Sequence, residues 1–234
     1  MLEGDGARHL RRVLRAEPGE VYEICDNQSV YLAEIEGFGK GQVVFRVSEK
    51  LKAEMPPVRL VLLASIIRLD RFEWAIEKAT EIGVETIVPV CSARTEKGLE
   101  KAAAKRLERW RKIALESSQQ ARRARLPALQ PPAAFPEALG AAGDLRYFLE
   151  EVAGAPPILS SLPEKGGRPA ETVCLLTGPE GGWTDGERAA AKAAGWRPVS
   201  LGPLILRAET AAIAALAVLS NAWLVAEDRK AVKP

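Results

Sequence analysis

The chain has 234 residues, room for one or two domains, with 47% hydrophobic and 27% charged residues and a formal net charge of +2. That balance argues against wholesale disorder, and no fixed repeat period points to a solenoid or a collagen-like array. Three cysteines without a CxxC spacing and a single histidine argue against a disulfide framework, a metal site and a His-based triad.

The elements follow in chain order. His9–Leu14 has helical spacing at Leu10, Val13 and Leu14. Val21–Cys25, Val30–Ile35 and Val43–Val47 read as short strands, separated by Asp26-Asn27 and by the glycine-rich stretch 37–41. That stretch superficially resembles a nucleotide loop, but no helix follows it and a hairpin turn explains it. Met55-Pro56-Pro57 marks a boundary, giving a small β-rich module over 1–56 and a second domain over 57–234.

In the second domain, Val58–Ile67 is an apolar run of the buried-strand kind. Asp70 is placed to cap a helix that runs to Ile82 and stops at Gly83. Thr86–Val90 is a strand, Leu99–Gln120 a long helix, and Pro127–Pro136 a proline-rich connection. Leu145–Leu149 and Val173–Thr177 are strands. Thr184-Asp185-Gly186-Glu187 fits a capping box for a helix ending at Gly195. Pro198–Leu201 is a short strand, and Glu209–Ala226 a final apolar helix on which Trp223 reads as packing. This alternation implies an α/β layer with a mostly parallel sheet. The longest apolar stretch, Ala211–Ala226, is broken by Ser220 and Asn221 and falls short of the roughly 20 residues of a bilayer span. The first ten residues lack the apolar core of a secretory signal, so the expected compartment is the cytoplasm.

Charge is unevenly spread. Residues 94–125 carry 11 Lys+Arg against 4 Asp+Glu, net +7, while the rest of the chain is slightly negative. Such a run attracts phosphate, although a solvated helix face looks the same in sequence. Two segments follow expected strands, where ligands of open α/β sheets bind. One is Thr177-Gly178-Pro179-Glu180-Gly181-Gly182-Trp183-Thr184, a tight glycine loop that is neither a GxxxxGK[ST] loop nor a GxGxxG fingerprint. The other runs from Leu201 to Ala211, with Arg207 between an apolar loop and a helix start. A strand-to-helix turn and a surface arginine would account for each segment taken alone.

Together these motifs resemble the ribosomal RNA small subunit methyltransferase E family of the SPOUT superfamily. GPEGG[FW][ST]xxE matches Gly178–Glu187, and LGxxILRxETA matches Leu201-Gly202 and Ile205–Ala211. KATELGV appears as Lys78–Val84, HLRxVLR as His9–Arg15, and EQxxRxxxP as Gln119–Pro127. The resemblance implies a trefoil-knotted, mostly parallel sheet with helices on both faces, plus a small N-terminal PUA-like or OB-like β-barrel. It implies a homodimer that uses S-adenosyl-L-methionine, needs no metal or membrane, and methylates N3 of a uridine in 16S rRNA of the small ribosomal subunit. Alternatives are another rRNA or tRNA site, or a non-catalytic RNA-binding or ribosome-assembly protein.

On that resemblance the cofactor would meet Leu176, Thr177, Gly178, Pro179, Glu180, Gly181, Gly182, Leu201, Gly202, Leu204, Ile205, Leu206, Thr210 and Ala211. Arg207 or Arg123 would stabilise the uracil anion, and Glu180 or Glu209 would accept the proton or orient the base. His9, Arg11, Arg12, Arg15, Arg94, Arg122, Arg123 and Arg125 would contact RNA. The chain departs from the family where Arg68-Leu69-Asp70 replaces Lys-Gly-Asp and where Leu204 replaces Arg. The family also has a strand before the point matching Met1, so the barrel is expected to lack its first strand.

Overall fold

Between Leu60 and Ser65 every side chain but that of Val61 is buried, so this strand is covered on both faces, as parallel central strands are. It belongs to the second of two compact units, Met1–Met55 and Pro56–Pro234, in a computed structural model that describes residues 1–53, 55–163 and 171–231.

The first unit is a four-stranded antiparallel sheet with a short helix. Its elements are β1 (Leu2–Glu3), α1 (Gly4–Arg12), β2 (Val21–Cys25), β3 (Val30–Phe38) and β4 (Gln42–Leu51), in the order β1-β4-β3-β2. Irregularities between Leu32 and Ala33, and between Ile35 and Gly37, break the β3–β4 register; such bulges bend a sheet. Ala7 and Leu10 of α1 join Ile35 and Val43 in one small core.

The second unit is an α/β layer. It comprises β5 (Arg59–Ser65), α2 (Leu69–Ile82), β6 (Thr86–Cys91), α3 (Leu99–Gln120), β7 (Ala128–Leu129), β8 (Ala133–Ala134) and α4 (Phe135–Ala138). It continues through β9 (Leu145–Leu149), β10 (Thr172–Thr177), α5 (Asp185–Ala193), β11 (Arg197–Val199) and α6 (Ala208–Ala231). The sheet is parallel, in the order β11-β9-β10-β5-β6-β7, with β8 also pairing β6.

The period of two decides which helices each strand meets. Leu60, Leu62, Val173 and Leu175 join Phe72, Ile76, Trp110 and Leu216 of α2, α3 and α6. Leu63, Cys174 and Leu176 point the other way, toward Phe135 of α4 and Ala191 of α5. Helices therefore cover both faces of the sheet.

Gly83 ends α2 in the left-handed region at φ 102°, its N–H reaching the carbonyls of Ala79 and Thr80. Asp70 is not the N-cap expected from the sequence. Arg68 holds that position, and Asp70 lies in the first turn with its carboxylate 3.1 Å from Arg68 Nη2. The proline-rich connection contains β7 and β8 and runs into α4. α6 also corrects an expectation: its segment Ala208–Val225 is long and apolar enough to cross a membrane by length and composition. The segment starts three residues before the stretch read in sequence, and its mean hydropathy stays high despite Glu209, Ser220 and Asn221. Ala212, Ala215, Leu216, Leu219 and Trp223 pack it into the domain core.

Candidate active site

Three neighbouring strands end side by side. β9 stops at Leu149, β10 at Thr177 and β11 at Val199, and their following loops surround a cleft of about 380 Å³. This is the carboxyl edge at which open α/β sheets bind ligands. Backbone bonds fix the arrangement. Glu150 N–H donates to the Val199 carbonyl at 2.9 Å, Ser200 N–H to Pro156 at 2.8 Å, and Ile158 N–H to Ser200 at 2.9 Å.

The glycine loop leaves β10 and forms one wall. Thr177, Gly178, Pro179, Glu180, Gly182 and Trp183 line the cleft. Gly182 sits at φ 67°, where a side chain is strained, and the Glu151 carboxylate occupies the place its Cβ would take. Gly178 packs so close to the Trp183 indole that an added Cβ would lie 3.1 Å from it. Trp183 is buried and its Nε1 donates to the Leu149 carbonyl at 2.9 Å. The loop ends in the capping box read from the sequence. Glu187 N–H donates to Thr184 Oγ1 at 3.2 Å, and Thr184 N–H donates to Glu187 Oε2 at 2.9 Å. Glu187 Oε1 also accepts from Ala93 N–H at 2.8 Å.

The second wall is the segment after β11. Leu201, Gly202, Leu204, Ile205, Leu206 and Arg207 line the cleft, together with Ala208 and Ala211 at the start of α6. Leu204 and Ile205 are 80% and 83% exposed, an unusual position for two adjacent large aliphatic residues.

Not every expected residue faces this cleft. Leu176 is buried in β10, and Gly181 and Thr210 lie outside the lining; the Gly181 carbonyl accepts from Arg94. Glu180 lines it, with Oε1 3.4 Å from the Arg68 amide. Glu209 does not. Its buried carboxylate pairs with Arg71, Nη1 to Oε1 3.3 Å, because the first turn of α6 directs it toward α2. Arg123 is also elsewhere in the chain: its guanidinium donates to the Thr80 and Val84 carbonyls at 2.7 and 2.8 Å, closing the end of α2. Burial lowers its pKa from the usual arginine value.

Among the RNA-contact candidates, His9, Arg11, Arg12 and Arg15 are exposed in the first unit, with Arg11 5.8 Å from the Phe38 ring centroid. Arg94, Arg122 and Arg125 are exposed in the second. Part of the positive run is internally balanced. Glu73 receives Arg106 and Arg109 at 2.7 and 2.8 Å, Glu108 meets Arg111, and Glu116 lies 3.9 Å from Lys112. Among the described residues no cluster of His, Cys, Asp or Glu could hold a metal ion.

Sequence reasoning missed four polar residues. Arg71, Glu150 and Glu151 line the cleft, and Arg188 of α5 holds the last two. Arg188 Nε donates to Glu150 Oε2 at 2.9 Å and Nη1 to the Trp183 carbonyl at 2.6 Å. The Glu150 hydrogen bond raises the pKa of this guanidinium. Adjacent glutamates just past an expected strand were the available signal.

Known proteins share this fold. An RNA methyltransferase domain matches residues 54–220, and an RNA methyltransferase PUA domain matches residues 2–48. A ribosomal RNA small subunit methyltransferase E from Synechocystis is 34% identical over 91% of this chain and 69% of its own length. A ribosomal RNA small subunit methyltransferase E from Neisseria gonorrhoeae, bound to S-adenosyl methionine, superposes with a TM-score of 0.84 at 30% identity, covering 95% of this chain and 91% of that one. A Legionella pneumophila methyltransferase in complex with the same cofactor gives 0.82 at 31% identity, covering 94% and 90%. Domain match, identity and fold agree along nearly the whole length, and the chain belongs to the ribosomal RNA small subunit methyltransferase E family.

Proposed function

We propose that this protein binds S-adenosyl-L-methionine in the cleft between the 177–184 and 200–208 loops and methylates N3 of a uridine in 16S rRNA. The observation that carries the reading is the meeting of both motif loops around one cleft at the carboxyl edge of the sheet. The cleft fits such a ligand. Its volume of about 380 Å³ is in the range of small-molecule sites, and its walls combine aliphatic side chains with the charged groups of Arg71, Glu150, Glu151, Glu180 and Arg207. Thr177 and the glycine loop would hold one side of the cofactor, and Leu201–Leu206 the other. When bound, the cofactor supplies an electrophilic methyl group on sulfur.

Uridine N3 must lose a proton before it attacks. Arg207 lines the cleft and is exposed there, so its charge can face a uracil carbonyl and stabilise the developing anion. Glu180 lines the same cleft and is the favoured carboxylate to take the N3 proton; Glu209 is committed to Arg71. Arg123 supports the end of α2 in its own chain. Positioning supplies much of the acceleration in such an in-line displacement.

The exposed side chains of Leu224 and Val225 on α6 support a homodimer. The parallel pairing of Pro157 with Ser200, and the packing of α6 on the 3-10 turn Ile158–Ser161, support the knotted path. A small-subunit rRNA substrate supports a cytoplasmic location.

Calorimetric titration with S-adenosylmethionine tests the first half of the reading, with Ala211→Trp, its fold checked by a melting curve, as the control that fills the cleft. Binding that the variant loses supports it, and no binding by the wild type overturns it. Mass spectrometry of small subunits treated with wild type and Arg207→Ala tests the second half. A methyl group on a base other than uridine, or undiminished turnover by Arg207→Ala, refutes the corresponding step.

A further inference from the structure

Arg188 lies behind the cleft rather than in its lining, yet it contacts two of the segments that form it. Its side chain is 16% exposed and that of Glu150 is 6% exposed. One edge of the guanidinium donates to Glu150 Oε2 at 2.9 Å, and Nη1 donates to the Trp183 carbonyl at 2.6 Å. Nη1 also reaches Asp185 Oδ1 at 3.2 Å, and Nη2 lies 3.8 Å from Glu151 Oε1. Glu150 turns the chain after β9 by accepting from the Glu151 and Val152 amides at 3.0 and 3.3 Å. Its neighbour Glu151 then lies over Gly182.

The fork geometry of arginine allows these contacts at once. One guanidinium sets the position of the acidic turn after β9 and of the end of the glycine loop. A lysine has a single ammonium and cannot span both.

We propose that Arg188 is a positioning residue for cofactor binding, acting through Glu150 and the Trp183 carbonyl to hold two walls of the cleft in register. This rests on the reading that the cleft takes S-adenosylmethionine. β10 is buried over Val173–Thr177 and is paired on both sides, with β5 and β9, so the loops that Arg188 joins are the less constrained parts of the walls. A misplacement of about 1 Å in a binding wall costs up to about a hundredfold in function.

The test is calorimetric titration of S-adenosylmethionine into wild type, Arg188→Ala, Arg188→Lys, Glu150→Gln and the Arg188→Ala/Glu150→Gln double variant, with a melting curve for each. The expected result is a Kd raised about tenfold or more in Arg188→Ala, with the double variant no weaker than that single one. In methylation assays the cofactor KM rises while kcat at saturating cofactor is retained. Arg188→Lys keeps the charge and fold and still binds more weakly than wild type. If Arg188→Ala does not fold, Arg188→Lys decides the matter. A merely structural arginine would lower the melting temperature and leave Kd within about twofold, which overturns the proposal. Fully additive losses in the double variant overturn it too. A wild type that binds no cofactor instead refutes the cofactor reading, and this inference with it.

Discussion

Arg71 Nη1 and Glu209 Oε1 lie 3.3 Å apart and join the first turn of α2 to the first turn of α6. Glu209 is buried, and its second oxygen has no hydrogen-bond partner among the described residues. Arg71 is partly exposed, which moderates the pair's worth. Glu209→Ala is expected to cost about 1–3 kcal/mol, since it removes a charged hydrogen-bond partner from an arginine that lines the cleft. Glu209→Gln keeps an acceptor for Arg71 and should cost less. Thermal unfolding of both variants checks the order.

Two glycines near each other in sequence should respond oppositely to alanine. Gly182→Ala forces a side chain into a left-handed position beneath Glu151 and is expected to lower stability by at least about 1–2 kcal/mol and to weaken cofactor binding. Gly186 lies in α5 with open space around it, so Gly186→Ala is expected to stabilise by about 0.5–1 kcal/mol. Melting curves on the two single variants, with a titration on each, make the comparison.

Glu73 gives a pH signature. The hydrogen bond from Arg109, with Arg106 beside it, holds its carboxyl below the usual carboxylate range. A folded pKa below the unfolded one stabilises the protein above the unfolded value and loses that contribution as pH falls through the folded value. Glu73→Gln should therefore be less stable at neutral pH, by about 1 kcal/mol given the exposure of both arginines, and should converge with wild type in acid. Melting temperature measured from neutral pH down to about pH 3 shows whether the curves meet.

The positive run should separate into charges that hold the fold and charges that meet phosphate. Arg123→Ala removes the donor to two helix-end carbonyls and is expected to cost about 1–3 kcal/mol with no change in the salt slope of RNA binding. Lys101→Glu and Lys105→Glu, both exposed on α3, should each reduce that slope by about 1 and leave melting unchanged. Filter binding across a salt series distinguishes them. An unchanged slope in the lysine variants would remove this face of α3 from the RNA contact.

Strong periodicity made some elements legible to the residue. Val21–Cys25, Leu99–Gln120 and Leu145–Leu149 have the bounds read from sequence. So does the Thr184 capping box, because a cap is chemistry within four residues. β7 and β8 were not legible, since two-residue strands among prolines have no period to detect. The clamp of Arg188 on Glu150 joins residues 38 apart that meet only because β9 lies beside β10. The direction of Glu209 was hidden for another reason. The apolar residues of α6 are spread around its axis rather than gathered on one face, so its sequence does not say which side turns inward.

The strand order has a consequence for how the protein is made. β10 lies between β5 and β9, but its first residue follows the end of β5 by roughly a hundred positions. At ribosomal elongation rates that interval is about 5–20 s. During it one edge of β5 waits unpaired, and the newborn chain offers that edge to neighbours or to a chaperone. The loops that line the cleft follow β10 and β11, so the cleft can assemble only after both strands have left the ribosome.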